Sequence, residues 1–420
     1  MSLAAQPSPE DRPILKRWRS HEIWMYFGPA FVASVAYIDP GNFFTNIDGG
    51  ARFGYQLLWV LLWSNLIAIL VQFLAAKLGI ATGKTLPRLC REQFPRPVVW
   101  GLWVIAEIAA IATDVAEFVG AAYGFYLLMH LPLMICALLA TAAVFLILAV
   151  EVYGFRRLEH LIMLFVGVIA VAYFYEIFLA RPDWHEVFRA VVIPHLSESS
   201  AYIAVSMLGA TVMPHVIYLH SALVLNRYKA DDPEHSLQHA RYELWDVLVA
   251  MNGSWLVNSA MLIMAAAVFY KAGIHEVSIE QAHRTLGPIL GPVSASAFAI
   301  ALLCSGLSSS AVGTMAGQVV IEGFLDVNFS IFYRRAVTVV PALVAIASGL
   351  NPFKLVIFSQ VVLSFALPFA LVPLVLLVQN PKVMGQLAVA RTTALLGWAA
   401  TAVISGLNVY LLYLTFTGKL

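Results

Sequence analysis

Charged residues are scarce in this chain of 420 residues, where Asp, Glu, Lys and Arg together make up 12%. Soluble domains carry about 25% charged residues, so this composition excludes an ordinary soluble protein. The three cysteines are scattered and form no CxxC pair. That pattern excludes a disulfide framework and a cysteine zinc site. No long basic run is present, and we therefore expect no nucleic-acid partner.

Apolar residues instead make up 61% of the chain and are gathered in long runs. A bilayer crossing takes about 20 such residues. The pattern predicts an all-α integral membrane protein of the cell inner membrane with eleven transmembrane helices. They lie near residues 25–50, 55–80, 98–128, 131–150, 158–180, 200–225, 243–270, 288–320, 332–350, 354–379 and 392–416.

The loops on one side of these predicted spans hold most of the 25 Lys and Arg residues. Basic loops stay on the cytoplasmic side of a membrane. The bias therefore predicts a cytoplasmic N-terminal tail over 1–24 and, with an odd number of spans, an external C-terminus. The remaining residues, 25–416, are predicted to form a single transmembrane domain.

Two of the apolar runs are interrupted by proline. The first interruption reads Asp39-Pro40-Gly41-Asn42, and the second reads Ala210-Thr211-Val212-Met213-Pro214-His215. Proline cannot donate a backbone hydrogen bond, and lipid tolerates the carbonyl left free only beside protein or a watery cavity. We therefore expect two broken helices whose interruptions face the interior of the protein.

The two interruptions are five predicted spans apart, and an odd number of spans inverts the second unit relative to the first. This spacing predicts a five-plus-five inverted repeat. Repeat one covers about 25–180, repeat two covers about 200–379, and an extra helix follows over about 392–416.

The interruptions carry metal-ligand chemistry: a carboxylate on Asp39, an amide oxygen on Asn42, a thioether on Met213 and the free carbonyl of Ala210. A carboxylate at mid-bilayer costs roughly 2.5–3.5 kcal/mol and normally has a functional partner. Oxygens with one sulfur favour Mn²⁺, Fe²⁺, Co²⁺ or Cd²⁺ over Mg²⁺ and Ca²⁺. The plain alternatives are a packing methionine and an ordinary loop turn. The depth of both motifs within apolar runs favours a cation site.

Three acids, Glu107, Asp114 and Glu117, lie on one stripe of the third predicted span. Such acids usually mark a hydrated or proton-conducting path. The imidazole of His215 titrates near neutral pH and lies beside the metal motif.

Two arginines at the start of the ninth predicted span, Arg334 and Arg335, could pair with these acids. Pairs such as Arg334–Asp114 or Arg335–Glu117 are also the structural alternative, because they would neutralise charge and hold helices together without moving protons.

At these motifs the sequence resembles the Nramp family of proton-coupled divalent metal ion transporters, and its length is similar to the bacterial manganese-uptake branch. The resemblance runs from Phe27 to about Tyr410 and includes Gly306-Leu307-Ser308-Ser309-Ser310. It implies a LeuT-like fold with broken helices 1 and 6. It further implies a proton pathway at the acids, His215 and the arginines, and a metal site formed by Asp39, Asn42, Ala210 and Met213. Gln360 on the tenth span would join that site as it occludes. A related magnesium-transporting branch lacks the methionine.

The predicted function is secondary transport by alternating access. We expect import of divalent transition metal ions, most of all Mn²⁺ and also Fe²⁺, Co²⁺ and Cd²⁺, coupled to or accompanied by protons. The metal is cargo, so we expect no cofactor and no enzymatic activity. The expected partners are the metal ions, protons and the lipid bilayer, with no obligate protein partner. A sodium-coupled amino-acid symporter of the same fold is the main alternative, although it has no use for Met213. A membrane metalloenzyme would need at least three protein ligands, and a passive channel would need a continuous pore.

Overall fold

The computed structural model describes residues 28–151, 155–226, 233–327 and 330–418. Within these ranges every regular element is a helix, which confirms the all-α prediction. The predicted N-terminal tail, 1–24, lies outside the described residues. The helices are α1 (Pro29–Ala36), α2 (Pro40–Phe53), α3 (Leu58–Thr82), α4 (Leu86–Gln93), α5 (Arg96–Met129), α6 (Leu133–Glu151), α7 (Phe155–Ala180), α8 (Trp184–Val192), α9 (Glu198–Thr211), α10 (Pro214–Leu223), α11 (Pro233–Ala265), α12 (Ile279–Leu290), α13 (Pro292–Leu325), α14 (Ile331–Ala347), α15 (Pro352–Val378), α16 (Pro381–Met384) and α17 (Arg391–Phe416).

Nine helical stretches in the described ranges are long and apolar enough to cross a membrane. One of them, Pro40–Thr82, contains both α2 and α3. The 17-residue helix α14 is not among the nine. Arg334 and Arg335 lie within its first two turns. Helix α1 is only eight residues long. The count of eleven spans therefore stays a prediction.

The first broken helix consists of α1 and α2. Helix α1 ends at Ala36 and α2 begins at Pro40. Pro40 suits the first helical position, where no backbone hydrogen bond is needed. Asp39 has an extended backbone and caps α2, because its Oδ1 accepts the amide hydrogen of Asn42 at 2.8 Å.

The carbonyls between α1 and α2 are bonded by side chains of other helices. Asn258 Nδ2 on α11 donates to the oxygen of Tyr37 at 2.6 Å, and Ser305 Oγ on α13 donates to the oxygen of Ile38 at 2.7 Å. A buried backbone carbonyl without a partner is costly. Side chains of α11 and α13 therefore stabilise the non-helical backbone between α1 and α2.

The second broken helix consists of α9 and α10. Helix α9 ends at Thr211, α10 begins at Pro214, and the two residues between them have extended backbones. Helix α9 packs closely on α15 at Gly209, where an added Cβ would overlap the carbonyl oxygen of Gln360 and lie 2.8 Å from the amide nitrogen of Ser364. The second break and the middle of α15 are thereby brought together.

Candidate metal centre

The side chain of Asn42 joins the two broken helices. Its Nδ2 donates to Asp39 Oδ1 at 2.7 Å and to the backbone oxygen of Ala210 at 2.9 Å. Its Oδ1 accepts a hydrogen bond from Thr211 Oγ1 at 3.3 Å. All four residues are buried. Two of the predicted ligand groups, on Asp39 and Ala210, thus lie within hydrogen-bond distance of a third, the amide of Asn42.

Two buried oxygens next to this bridge have no hydrogen-bond partner among the described residues, namely Asp39 Oδ2 and Gln360 Oε1. Both side chains pack against Gly41, where an added Cβ would lie 2.5 Å from Gln360 Nε2 and 2.7 Å from Asp39 Oδ2. Gln360 Nε2 itself donates to Ser359 Oγ at 2.9 Å. Buried oxygens are rarely left unpaired, so this pair points to a ligand that accepts their lone pairs.

Met213 is the last residue of the second break and is fully buried. It follows Ala210 by three residues, and its backbone is extended rather than helical. Its position in the second break, three residues after the bridged carbonyl of Ala210, is compatible with the predicted thioether ligand.

The donor set fits a partly dehydrated divalent transition metal ion. It offers one carboxylate, two amide oxygens, one backbone carbonyl and one thioether, which suit an ion of intermediate softness. The –NH₂ group of Asn42 lies where the oxygens of Asp39 and Ala210 converge. A cation held by these oxygens requires the Asn42 amide to turn and present Oδ1 instead.

A metal centre of another type is not found within the described ranges. There, no group of three or more His, Cys, Asp or Glu side chains is placed to hold a metal ion. A catalytic zinc site needs three such protein ligands around an open position. The described residues therefore offer no zinc centre of that kind.

The arginines on α14 pair with acids of α5, but not in the combinations considered from the sequence. Arg335 contacts Asp114 at 2.7 Å, and Arg334 contacts Glu107 at 3.0 Å. The suggested pairs Arg334–Asp114 and Arg335–Glu117 were therefore wrong. Arg335 also donates to Ser310 Oγ on α13. Its guanidinium, which is fully buried, is neutralised by one acid and bonded by one hydroxyl.

Glu117, the third predicted acid on α5, forms no ion pair with any described residue. It is fully buried, and neither carboxylate oxygen has a hydrogen-bond partner among the described residues. The carboxylate packs against Gly313 on α13. One turn further along α5, Gly120 lies directly against Pro40. Helix α5 therefore places an unpaired carboxylate close to the interruption that carries Asp39.

His215 connects the second break to the same helix. Its Nδ1 lies 3.4 Å from the hydroxyl of Thr113, the residue before Asp114. Its Nε2 is buried and has no partner in the part of the chain that the structure describes. The predicted histidine and acids are thus on touching elements, with Thr113 between them.

A series of hydrogen-bonded buried side chains that begins at Tyr37, beside the first break, was not predicted. Gln72 Nε2 lies 2.5 Å from the hydroxyl of Tyr37, and its Oε1 lies 2.9 Å from His220 Nδ1. His220 Nε2 lies 2.9 Å from Glu243 Oε1. Gln72, a lone glutamine in the apolar helix α3, is the signal in the sequence for this series of hydrogen bonds. Nothing in the sequence indicates that the series ends at Glu243.

Comparison with known proteins gives one family. The family model described as "Natural resistance-associated macrophage protein-like" (Nramp) matches residues 30–414. The chain is 52% identical over 395 residues to the divalent metal cation transporter MntH of Caldanaerobacter subterraneus subsp. tengcongensis. That alignment covers 94% of each protein.

Solved structures agree with this match. A crystal structure of the Eremococcus coleocola manganese transporter, bound to an aromatic bis-isothiourea substituted compound, superimposes with a TM-score of 0.85. It has 32% sequence identity, over 93% of this chain and 87% of that one. The nucleobase-cation-symport-1 family transporter Mhp1 superimposes with a TM-score of 0.61 at 12% identity, over 92% of each chain. At that identity only the fold is shared, and the predicted LeuT-like arrangement is confirmed.

Proposed function

The chain belongs to the Nramp family, and we propose that it is a secondary transporter that imports divalent transition metal ions, Mn²⁺ above all, by alternating access. It is a multi-pass membrane transporter rather than an enzyme. The MntH and manganese-transporter names of its relatives support the metal as cargo. The observation that carries the proposal is the bridge from Asn42 to Asp39 and Ala210, which joins both broken helices at a buried cluster of oxygens.

The metal in this proposal is held by Asp39, Asn42, Met213 and the carbonyl of Ala210, and Gln360 joins as the site occludes. The unpaired oxygens of Asp39 and Gln360 support this role. Occlusion is then the approach of α15 to the broken helices, because Gln360 lies on α15 and already packs against Gly41.

Protons in this proposal move along α5. Glu117 accepts a proton next to the first break, and His215 and Asp114 continue the path toward Glu107. Arg335 neutralises Asp114, and Arg334 neutralises Glu107. The ion pairs and the Thr113–His215 contact support the continuity of this path. If the metal ion displaces a proton from Glu117 as it enters, the carboxylate that remains is negatively charged and favours the approach of the cation.

The orientation in this proposal follows the basic loops, with the N-terminal tail (1–24) in the cytoplasm and the C-terminus outside the inner membrane. Residues 25–416 then form one transporter domain, with repeat one over about 25–180, repeat two over about 200–379 and the extra helix over about 392–416. An interior-negative membrane potential favours entry of the ion by about 2.3 kcal/mol per charge per 100 mV.

Competitive uptake tests the proposal. The full chain is reconstituted in liposomes that enclose a pH-sensitive dye, and uptake of Mn²⁺ is measured alone and against Fe²⁺, Co²⁺, Cd²⁺, Mg²⁺ and Ca²⁺. We expect Mn²⁺ uptake with internal acidification, competition by the transition metals, and none by Mg²⁺ or Ca²⁺. Uptake of labelled amino acids driven by sodium, without Mn²⁺ uptake, would instead establish the symporter.

A further inference from the structure

Helix α7 carries a buried acid that belongs to neither the metal site nor the α5 path. The side chain of Glu176 is 0% exposed, and neither of its oxygens has a hydrogen-bond partner among the described residues. No ion pair in those ranges involves it either. An ionised carboxylate without a donor or a counter-ion is strongly disfavoured in an apolar interior. The form that these surroundings tolerate is the neutral, protonated acid.

Aromatic packing fixes the depth of Glu176. One turn before it, the ring of Tyr173 packs edge-on against Phe43 on α2, with 5.3 Å between ring centroids. Phe43 directly follows Asn42 of the candidate metal centre. Glu176 lies three residues after Tyr173, which is about 4.5 Å further toward the end of α7 at Ala180. It therefore lies just beyond the metal centre, level with α2.

The hydroxyl of Tyr173 is also buried without a hydrogen-bond partner in the described part of the chain. Residues three apart share a helix face, so a carboxyl and a hydroxyl, both unpaired, lie on the side of α7 that meets α2. Two unpaired polar groups at one helix contact indicate a contact that is not permanent, because water would satisfy both when the helices separate.

The elements around α7 carry charged residues, but none of those described bonds to either oxygen of Glu176. The elements packed most extensively against α7 are α1, α6, α11, α12 and α13, and α2 contacts it through the ring pair of Phe43 and Tyr173. Helix α1 carries no charged residue, and in α6, α11 and α13 the charges lie toward the inner ends. Nearer the outer end α12 is charged, and α2 carries Asp48 and Arg52, which pair with each other at 3.1 Å. The titratable groups on α11, α12 and α13 are Glu234, His235, His239, Arg241, Tyr242, Glu243, Asp246, Glu280, His283, Arg284, Cys304 and Glu322, and α6 carries Cys136 and Glu151.

We propose that Glu176 is a proton-binding site on the external side of the metal centre, occupied while α7 packs against α2. The external assignment depends on the orientation in the proposed function. When the packing opens, water reaches the carboxyl, its O–H bond breaks, and the proton leaves as hydronium. When the helices close, a proton from external water re-forms that bond. External acidity thus favours the form that is closed on the outside.

Infrared difference spectroscopy tests the protonation itself. Spectra of the metal-free full chain in liposomes at neutral pH are compared with those of Glu176→Gln and of a control, Glu280→Gln, which removes a partly exposed acid on α12. We expect the C=O band of a protonated carboxylic acid, shifted in D₂O, to be weaker in Glu176→Gln and unchanged in the control. Loss of a carboxylate band instead would overturn the proposal. This readout needs no transport, so it stands even if Mn²⁺ is not the cargo.

Transport tests the coupling. Glutamine resembles the permanently protonated acid, so Glu176→Gln is expected to take up Mn²⁺ with a weaker dependence on external pH. The ratio of rates between mildly acidic and mildly alkaline solution should change by at least about twofold relative to the parent. An unchanged ratio would remove the proposed coupling.

A second variant applies if Glu176→Gln does not reach the membrane. Glu176→Asp keeps an acid at this position, and the C=O band of the protonated acid must then shift. An unshifted band would overturn the assignment.

Discussion

Asn42 and Ala210 are joined by a hydrogen bond of 2.9 Å between Nδ2 and the backbone oxygen, although they are 168 positions apart in the chain. The same Nδ2 donates to Asp39. A donor group thus lies where two oxygens converge, and a divalent cation is the other species that such oxygens attract. In the proposed metal site, a cation would take the place of this amide donor.

The first prediction concerns Asp39, the one charged ligand. Asp39→Ala is expected to lower Mn²⁺ uptake into liposomes by at least about 100-fold, because even groups that only support a ligand often contribute 10- to 100-fold. The cap on α2 is lost as well, at a cost of about 1 kcal/mol, so the protein should still fold. Glu186→Ala, which removes an exposed acid on α8, is the control and should transport normally. Normal uptake by folded Asp39→Ala would reject the site.

The second prediction concerns selectivity. Met213→Ala should keep Mn²⁺ uptake but admit Ca²⁺ or Mg²⁺ better, because the thioether is the donor that these hard cations use least. Met207→Ala is a matched control, since Met207 is another buried methionine, on α9, and its truncation leaves a cavity of similar size. The measurement is the ratio of Ca²⁺ to Mn²⁺ uptake for each variant. Equal ratios in the two variants would mean that Met213 only fills space.

The interruptions could be predicted because their cause is local. Proline removes a backbone donor wherever it is placed, and Asp39 is a good helix cap, so residues 39 and 40 predict a helix start without any knowledge of the neighbours. The residue types at both breaks then indicated a cation. What the local sequence could not supply was the contact between the breaks, because the Asn42–Ala210 bond depends on how helices far apart in the chain pack.

The arginine pairs illustrate the limit. The stripe on α5 predicted that its acids share a face, since 3.6 residues make one turn. Arg334 and Arg335 are adjacent, however, and point about 100° apart on α14. Which of them meets Asp114 depends on the rotation of α14 against α5, and that rotation is set by packing. The sequence therefore predicted that both arginines can pair with acids of α5, but not which acids they meet: Glu107 and Asp114 are paired, and Glu117 is not.

The third prediction separates folding from proton transfer on α5. Asp114→Asn removes the partner of Arg335, whose guanidinium is fully buried, so we expect a loss of about 3–5 kcal/mol in the free energy of unfolding. Glu117→Gln removes no hydrogen bond or ion pair and should change this free energy by less than about 1 kcal/mol. Both variants should weaken metal-evoked acidification inside liposomes. Thermal unfolding and the pH dye measure the two effects.

Glu117→Gln is the better test of the proton path, because this variant is expected to stay folded, whereas Asp114→Asn is expected to be destabilised. Unchanged acidification with normal Mn²⁺ uptake in this variant would leave Glu117 outside the proton path. A large destabilisation would instead mean that the carboxylate has a partner that the glutamine amide cannot replace.

The fourth prediction concerns the contact that brings Gln360 to the metal centre. At Gly209 an added Cβ would overlap backbone atoms of α15, which cannot rotate away as a side chain could. Gly209→Ala must therefore separate α9 from α15, at a cost of about 1–3 kcal/mol, and it moves Gln360 away from Gly41. Gly253→Ala on α11 is the control: a Cβ there meets no atom within 4 Å, so we expect about 0.5–1 kcal/mol of stabilisation. Thermal unfolding measures the loss of stability in Gly209→Ala. Mn²⁺ uptake per folded protein measures the effect of moving Gln360 away. If Gly209→Ala lowers stability but not uptake, close approach of α15 supports the fold and is not needed for occlusion of the ion.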